Sequence, residues 1–409
     1  MKTSVIEILS LLCLVVCLGS CERVDTVPDS GSEDGIVRFE EVARILASLP
    51  MGQEQYGEVH DAVMSSAANG YDEEYTMKDL FAQPGSGVGD VATKAPSKSY
   101  STPLRDMIEA YVTSTKSSPK SEDVDPQEFL DALKSSEVQI YWPYSEEWNG
   151  KQPPVVTFDP ADGSETSTGY RLVEGKDGKR VLEEITVDED YAKENPVWVV
   201  NRNTDSEHIS LEMLRRQDPQ WGAGGEIVIG KPSVSILDTK TSAADETEEV
   251  PLRTLILKEF TPKRNFDIWL AGGSEFFCKI GSVEDFCAST EAEMKLYNPS
   301  ITDFMVVVRR NQVGKVIPFN AVLVSKWTNQ LDSCAFMLVE DDGGTRTSWK
   351  CSAEVKVQSK TYGFNIEIPF RSNDDIVWRG QLSAKYLEKY SGTTGHFGDV
   401  DITFEIVEL

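Results

Sequence analysis

Apolar residues recur at two spacings along this chain, and the spacing changes near residue 136. Between residues 37 and 49 apolar side chains return every three or four positions, which predicts an amphipathic helix. Pro103 opens a second such stripe, and Asp125 precedes a third, with Pro126 at its first position. Beyond residue 136 short apolar runs alternate with polar residues, as in β-strands.

We therefore predict an α+β protein, with a small helical N-terminal region followed by β-rich segments and a C-terminal antiparallel β-sandwich. The predicted segments are a lipoprotein signal peptide (1–20), a flexible acidic tether (21–36), a helical region (37–135), a short-strand β region (136–202), a linker or long loop (203–250) and a β-sandwich domain (251–409). In the last segment, predicted strands Phe266–Leu270 and Glu275–Ile280 flank the stretch AGGSEF. That stretch reads as a tight hairpin, because no helix follows to make it a phosphate-binding loop.

The N-terminus has the parts of an export signal: Lys2, an apolar stretch, and small residues before Cys21. The apolar stretch is too short to span a membrane, which takes roughly 20 residues. One interpretation is an ordinary signal peptide cleaved near Ser20. The other is a lipobox, Leu18-Gly19-Ser20-Cys21, in which the Cys21 thiol takes a lipid, and the acidic, Pro- and Gly-containing residues that follow form a solvated tether.

Net charge and cysteine content indicate which partners and which cellular compartment suit the protein. The formal net charge is −28, and almost all of the excess lies in the first 249 residues. Such an acidic surface disfavours nucleic acid and anionic headgroups as partners. Four cysteines lie outside the signal, namely Cys278, Cys287, Cys334 and Cys351, a usage that agrees with an oxidising compartment.

Cys334 and Cys351 are predicted to form a disulfide across one hairpin. Asp342-Gly343, midway between them, favours a two-residue turn that places the two cysteines opposite each other, with Phe336 facing Trp349. The alternative is a turn that is longer or shifted through Gly344, and a slip by one residue would put the two sulfurs on opposite faces. Cys278 and Cys287 offer a less convincing turn, and their pairing stays open.

Several phrases of the chain resemble uncharacterised lipoproteins of the Bacteroidetes. They are the lipobox, VQIYWPYSEEWNGKQPPVVTF, DEDYAKENPVWVVNRN and FDIWLAGGSEFFCKIG. The resemblance implies an outer-membrane or cell-surface lipoprotein with a helical N-terminal region and a C-terminal β-sandwich. It carries no assigned activity, so it transfers no functional residue. Glu22 and Asp25 match the acidic surface-export signal only in part, which leaves the cell surface and the periplasmic face as alternatives.

No recognisable catalytic set, metal motif or cofactor motif occurs. The only histidines are His60, His208 and His396, which have neither metal-ligand spacing nor a nucleophile motif beside them. Acidic residues near turns could bind calcium or be ordinary solvated turns. They are Asp159, Asp162 and Glu165 with Gly163, then Asp374 with Asp375, and Asp399 with Asp401, and none has the full calcium-loop spacing.

Tyr141, Trp142, Tyr144 and Trp148 could form a platform for sugar stacking. Alternatively, Tyr141 lies in a core and the other three cover a sheet edge. Together these observations favour a membrane-anchored protein, held through a lipid on Cys21, that binds a glycan or a protein. In this hypothesis the C-terminal sandwich is the recognition module, and the acidic N-terminal half is a spacer or assembly domain. One alternative is an extracytoplasmic glycan hydrolase that uses a carboxylate pair. Another is a structural component of a surface assembly.

Overall fold

The computed structural model describes residues 36–82, 99–116, 125–175, 178–205, 208–217 and 253–408. The predicted signal peptide, Cys21, nearly all of the tether and most of residues 203–250 lie outside the described residues. None of the helices in the described ranges is long and apolar enough to cross a membrane.

The helices of the described residues include the three predicted from apolar stripes, at residues 37–49, after Pro103 and after Asp125. They are α1 (Phe39–Ser48), α2 (Gln53–Ala68), α3 (Met77–Phe81), α4 (Leu104–Lys116), α5 (Pro126–Ser135), α6 (Glu189–Glu194), α7 (Leu211–Gln217), α8 (Glu291–Met294) and α9 (Ala384–Lys389). Helix α5 begins as the sequence predicts, because the Asp125 carboxylate accepts hydrogen bonds from the N–H groups of Gln127 (2.8 Å) and Glu128 (3.4 Å).

Helices and strands of the first half share one core. The strands are β1 (Glu74–Thr76), β2 (Val138–Tyr141), β3 (Val155–Phe158), β4 (Ser167–Glu174), β5 (Arg180–Val187) and β6 (Val197–Arg202). They form a sheet of order β1-β2-β6-β3-β4-β5, in which only the β3–β6 pair is parallel. Leu46 of α1 and Val63 of α2 are buried in the same cluster as Trp198 of β6. The predicted helical and short-strand regions are therefore one packed body, here called the N-terminal unit (described residues of 36–205).

The remaining strands form two sheets that face each other, which confirms the α+β class and its β-rich C-terminal region. They are β7 (Arg253–Pro262), β8 (Ser274–Ser282), β9 (Ser300–Val308), β10 (Ile317–Trp327), β11 (Leu331–Glu340), β12 (Arg346–Val357), β13 (Lys360–Arg371), β14 (Asp375–Ser383), β15 (Thr394–Phe397) and β16 (Val400–Glu408). One sheet has the order β10-β7-β16-β15; the other has the order β13-β12-β11-β8-β9, with β14 also paired to β11.

Aromatic contacts join the two sheets. The ring of Phe260 on β7 lies 5.2 Å from that of Phe276 on β8, and Phe336 on β11 lies 5.4 Å from Phe404 on β16. All four side chains belong to one buried cluster. Leu211 and Met213 of α7 belong to it as well, so part of the predicted 203–250 linker packs against the sandwich.

The predicted disulfide register is wrong. Strand β11 pairs with β12 only at Leu331 and Ser333; from there on β14 occupies that edge, so that Cys334 lies opposite Leu382. Cys351 lies opposite Ile366 of β13, and all four described cysteines are free thiols. Phe336 lies opposite Gly380 and Ile280, and Trp349 opposite Ile368, so these two residues do not face each other either.

The turn after β11 explains this difference. Gly343 and Gly344 both have positive φ, of 74° and 95°. The turn does not close on itself, because Thr345 accepts a hydrogen bond from the Ser372 N–H (2.9 Å) in the β13–β14 connection. The two strands therefore diverge, and each pairs with a different neighbour.

The predicted strand Phe266–Leu270 and its tight hairpin are also wrong. Residues 263–273 form a crossover segment, which leads from β7 in one sheet to β8 in the other. Its Trp269 and Leu270 are buried against Tyr141 and Val199 of the N-terminal unit. Packing against a second unit, which the local pattern does not reveal, takes these apolar residues out of any sheet.

Candidate functional site

Two of the four aromatic residues predicted as a platform are core residues. Tyr141 and Trp142 are both fully buried. The Trp142 ring contacts those of Trp198 (5.8 Å between centroids) and Trp148 (5.2 Å). The core interpretation is therefore correct for Tyr141, whereas Trp142, expected to cover a sheet edge, is also a core residue; neither can stack on a ligand.

Tyr144 and Trp148 are only partly buried, and both line a surface pocket. Tyr144 adopts the left-handed conformation (φ 59°) and leads into a single 3₁₀ turn, Ser145–Glu147, which brings Trp148 back over the core. The indole N–H of Trp148 donates a hydrogen bond to the Gln152 carbonyl (2.8 Å), which fixes the ring at the pocket wall. We call this the Trp148 pocket; its lining residues are Trp142, Tyr144, Glu147, Trp148, Asn149, Gln152, Ala192, Lys193, Glu194, Asn195 and Pro196.

Hydrogen bonds fix the side-chain amides of the Trp148 pocket, but some of their polar atoms have no partner among the described residues. The Asn149 side-chain oxygen accepts hydrogen bonds from the N–H groups of Lys151 (2.9 Å) and Gln152 (3.0 Å). Gln152 donates from Nε2 to Asn195 Oδ1 (3.0 Å). Asn149 Nδ2 and Gln152 Oε1 make no hydrogen bond to the described residues, so the pocket presents one oriented donor and one oriented acceptor.

A second site lies where the crossover segment meets the sandwich. One carboxylate oxygen from each of Asp267, Glu275 and Glu340 lies within 4.8 Å of the others. Asp267 belongs to the crossover segment, Glu275 follows the first residue of β8, and Glu340 ends β11. We call these three residues the carboxylate cluster, and their oxygen atoms are the type that a hard divalent cation prefers.

Glu340 is fully buried, and neither of its carboxylate oxygens accepts a hydrogen bond from the described residues. Oδ2 of Asp267 is likewise buried without a partner in that part of the chain. Burial raises the pKa of Glu340 well above its usual value, and the adjacent Asp267 carboxylate raises it further. Burial also raises the pKa of Asp267 and of Glu275.

The basic side chains near the cluster are already engaged. Arg310 donates hydrogen bonds to the carbonyl oxygens of Gly272 (3.1 Å) and Asp267, and its Nη1 lies 3.4 Å from a Glu189 carboxylate oxygen. Further negative charge comes from four acidic residues around the cluster: Asp341, Asp342, Asp374 and Asp375. The Arg371 guanidinium lies 3.6 Å from the Asp341 carboxylate.

The acidic residues named from the sequence as calcium candidates have different surroundings in the structure. Asp399 and Asp401 form ion pairs with Arg264 (2.8 Å) and Lys263 (2.6 Å), so their charge is balanced. Asp162 accepts the Ser164 N–H (3.0 Å), as in an ordinary turn. Asp374 and Asp375 lie beside the carboxylate cluster, and the Asp159 carboxylate also interacts with that of Asp267.

The three histidines occupy unrelated surroundings. His60 packs against the rings of both Trp142 and Trp148. His208 lies against Phe277, and His396 is exposed with Nδ1 2.6 Å from an Asp401 oxygen. The structure does not bring the histidines together into one site.

Sequence reasoning missed the carboxylate cluster, because its members are separated along the chain and paired only by the fold. A local signal exists for Glu340, which directly follows the apolar run Ala335–Val339 and is as buried as that run. An acid at the end of such a run needs a buried partner.

No family model matches the chain, and no curated protein or solved structure is significantly similar to it. Function is therefore inferred from the residues and their geometry. The lipid anchor on Cys21, the outer-membrane location and the Bacteroidetes resemblance stay predictions.

Proposed function

We propose that this protein is a lipid-anchored extracytoplasmic binding protein, and that its ligand is a glycan held in the Trp148 pocket. The observation that supports the ligand class is the pairing of a fixed, partly exposed indole ring with amide groups that still have hydrogen-bonding capacity. A sugar ring presents an apolar face and a periphery of hydroxyl groups, and such a pocket complements both.

The charges at the pocket suit a hydroxyl-rich ligand better than an anionic one. Glu147 and Glu194 are exposed at its edge. The Lys193 ammonium is engaged by the Asp190 carboxylate (3.0 Å) and lies 3.8 Å from Glu189. A neutral glycan can hydrogen-bond to carboxylates, whereas a phosphate or a carboxylate ligand would be repelled by them.

The anchor part of the proposal is supported by the lipobox and by the acidic residues after it. A lipid on Cys21 would hold the folded units near a membrane through residues 22–35, whose composition is that of a solvated tether. Such an arrangement suits capture of an extracellular or periplasmic polymer by a protein that stays attached to the cell.

A glycan array probed with the chain from residue 22 onward tests the ligand class, followed by calorimetry on the best hit. Asn149→Asp keeps the side-chain oxygen that organises the loop but removes the Nδ2 donor, so affinity should fall about tenfold, the equivalent of one lost hydrogen bond. Trp148→Phe should weaken binding in the same direction, because the ring is smaller and loses its anchoring N–H.

Asn329→Asp is the matched control for this test. The Asn329 oxygen also accepts a hydrogen bond, from Arg253 (2.6 Å), and the residue is exposed on the sandwich. This variant has the same change in charge and should bind like the wild type. An array without hits, or equal affinity for Asn149→Asp and wild type, overturns the glycan proposal.

A further inference from the structure

We propose that Asp267, Glu275 and Glu340 bind a divalent cation, calcium by preference, and that this cation fastens the crossover segment to the sandwich. This site is separate from the Trp148 pocket and does not depend on the proposed glycan.

The first argument is geometric. Three carboxylates from three segments of the chain converge so that one oxygen of each lies within 4.8 Å of the others. Oxygen atoms bound to one calcium ion at 2.3–2.6 Å necessarily lie within about 5 Å of each other. The cluster therefore has the size of a coordination sphere without any movement of the backbone.

The second argument is the state of Glu340. Its side chain is wholly buried, and both carboxylate oxygens lack a hydrogen-bond donor in the described part of the chain. A buried carboxylate with no donor and no counter-ion is strongly disfavoured. The charge of the Glu340 carboxylate is therefore neutralised either by a cation or by a proton shared with Asp267.

Charge balance favours the cation over the proton. Asp375 lies directly opposite Glu340 in the β11–β14 pair, and the Asp341 N–H donates to the Glu275 carbonyl (3.0 Å), so further carboxylates adjoin the cluster. Arg310 donates to two backbone carbonyls and pairs with Glu189, and Arg371 pairs with Asp341, so both guanidinium groups already have other partners, although the Arg310 charge also acts on Asp267. A single shared proton neutralises one carboxylate, whereas a divalent cation offsets two and attracts the rest.

The ligand type indicates the metal. All three side chains offer carboxylate oxygen, and hard cations such as calcium and magnesium prefer oxygen to nitrogen or sulfur. Calcium accepts irregular sets of six to eight oxygens, while magnesium demands a near-ideal octahedron and retains its waters. A cluster built from a strand end, a strand start and a crossover segment suits the more permissive ion.

The position of the site gives the cation a mechanical role. Asp267 lies two residues before Trp269, whose indole N–H donates to the Glu165 carbonyl (2.7 Å) of the N-terminal unit. Glu275 and Glu340 belong to strands of the sandwich. A cation bridging these three residues would therefore hold the sandwich against the segment that docks the N-terminal unit.

Thermal unfolding and titration calorimetry of the signal-free chain test the site. After treatment with EGTA, added calcium should bind with measurable heat and, at about 100-fold above Kd, raise Tm by several degrees. Calcium should also slow hydrogen exchange in residues 263–273. Magnesium should give a smaller rise in Tm.

The variant Glu340→Gln distinguishes a bound cation from a shared proton. This variant removes the buried charge, so in EGTA it should melt above the wild type, but calcium should no longer raise its Tm. Asp267→Asn should lose the calcium response as well. The matched control is Glu58→Gln: Glu58 is also buried, but it accepts the Leu104 N–H (2.8 Å) in the N-terminal unit, and this variant should keep the full calcium response.

The proposal is overturned if calcium produces neither binding heat nor a Tm shift in the wild type, which would assign a shared proton to the cluster. Calcium responses of equal size in Glu340→Gln and wild type would also overturn it, because the ion would then bind elsewhere. Wild-type calorimetry decides the question even if the variants fail to fold.

Discussion

The Asp72 carboxylate accepts a hydrogen bond of 2.7 Å from the backbone N–H of Gly273, and so joins the N-terminal unit to the crossover segment. Its other oxygen accepts the N–H of Glu73 (2.8 Å), so both oxygens of this buried side chain are used. Asn201 of β6 completes the junction by donating to the carbonyls of Leu270 (2.9 Å) and Ala271 (2.7 Å). The two halves of the protein are therefore held by directed polar contacts as well as by apolar packing.

Gly273→Ala should lower the free energy of unfolding by about 1–3 kcal/mol, as other overpacked sites do. A Cβ atom at this position would lie 2.7 Å from the Val308 carbonyl oxygen and 3.2 Å from an Asp72 oxygen. Since Val308 is held in the sheet by pairing with Ser274, relief requires a shift of backbone. Urea unfolding measures the loss.

Gly57→Ala is the control for that substitution. Gly57 lies within α2, where an added Cβ meets no atom within 4 Å. Alanine is favoured over glycine inside a helix, so this variant should gain about 0.5–1 kcal/mol. Unchanged stability in Gly273→Ala would show that the junction is looser than described.

Asp159→Asn should stabilise the protein increasingly as pH rises. Burial raises the pKa of Asp159 to about 6, and the Asp267 and Asp162 carboxylates contribute to the shift. Because the folded state holds this proton more tightly than the unfolded state, wild-type stability falls as pH rises from the ordinary value of 3.8 through about 6. The free energy of unfolding that the wild type loses over this pH range is about 3 kcal/mol.

The gain of the asparagine variant over wild type should therefore be small below pH 4 and reach its maximum above pH 6.5. Urea unfolding with EGTA at several pH values checks this. A difference between the two proteins that does not change with pH would contradict the raised pKa.

Thiol labelling should follow burial, with Cys287 first. Cys287 is exposed and Cys351 is partly buried, while Cys278 and Cys334 are fully buried. Burial also raises the pKa of Cys334 to about 12, which suppresses the reactive thiolate. In the native signal-free chain, a thiol reagent should modify Cys287 rapidly, Cys351 more slowly and the other two only after unfolding.

Denaturation without reductant should then expose four titratable thiols in that chain. Peptide mapping under non-reducing conditions provides the check. A peptide linking Cys334 to Cys351 would show that the strand register described here is not the one in solution.

Cys21→Ala should abolish lipid attachment in the cell of origin, because only a thiol at this position can take the diacylglyceryl group. Metabolic labelling with an alkyne fatty acid measures attachment, and membrane fractionation measures the consequence. Cys17→Ala, which changes a cysteine inside the apolar stretch, serves as the control and should remain labelled. Label retained on Cys21→Ala would exclude the lipobox.

Local patterns in the sequence were sufficient for most elements. Asp125 and Pro126 mark the start of α5, and the alternation of Val400, Ile402 and Phe404 places those residues inward on β16. Such signals depend on the nearest few neighbours along the chain. Short elements without a strong pattern, such as β1 and α6, were missed.

The sequence did not predict which strands pair with each other or which distant side chains meet. Cys334 lies on β11, whose edge is taken by β14, and only the global topology decides between β14 and β12. The carboxylate cluster has the same origin, since Asp267 reaches Glu340 only because the crossover segment docks between two units. A pattern of adjacent residues contains no information on contacts of this range.

The pairing of β7 with both β10 and β16 has a consequence for biosynthesis. Strand β7 is made first in the sandwich and β16 last, so one edge of β7 has no partner until the ribosome has released residues 400–408. An open strand edge can pair with another chain. The edge of β7 is therefore open for longer than an edge that pairs with the next strand along the chain, because contacts between distant segments form slowly.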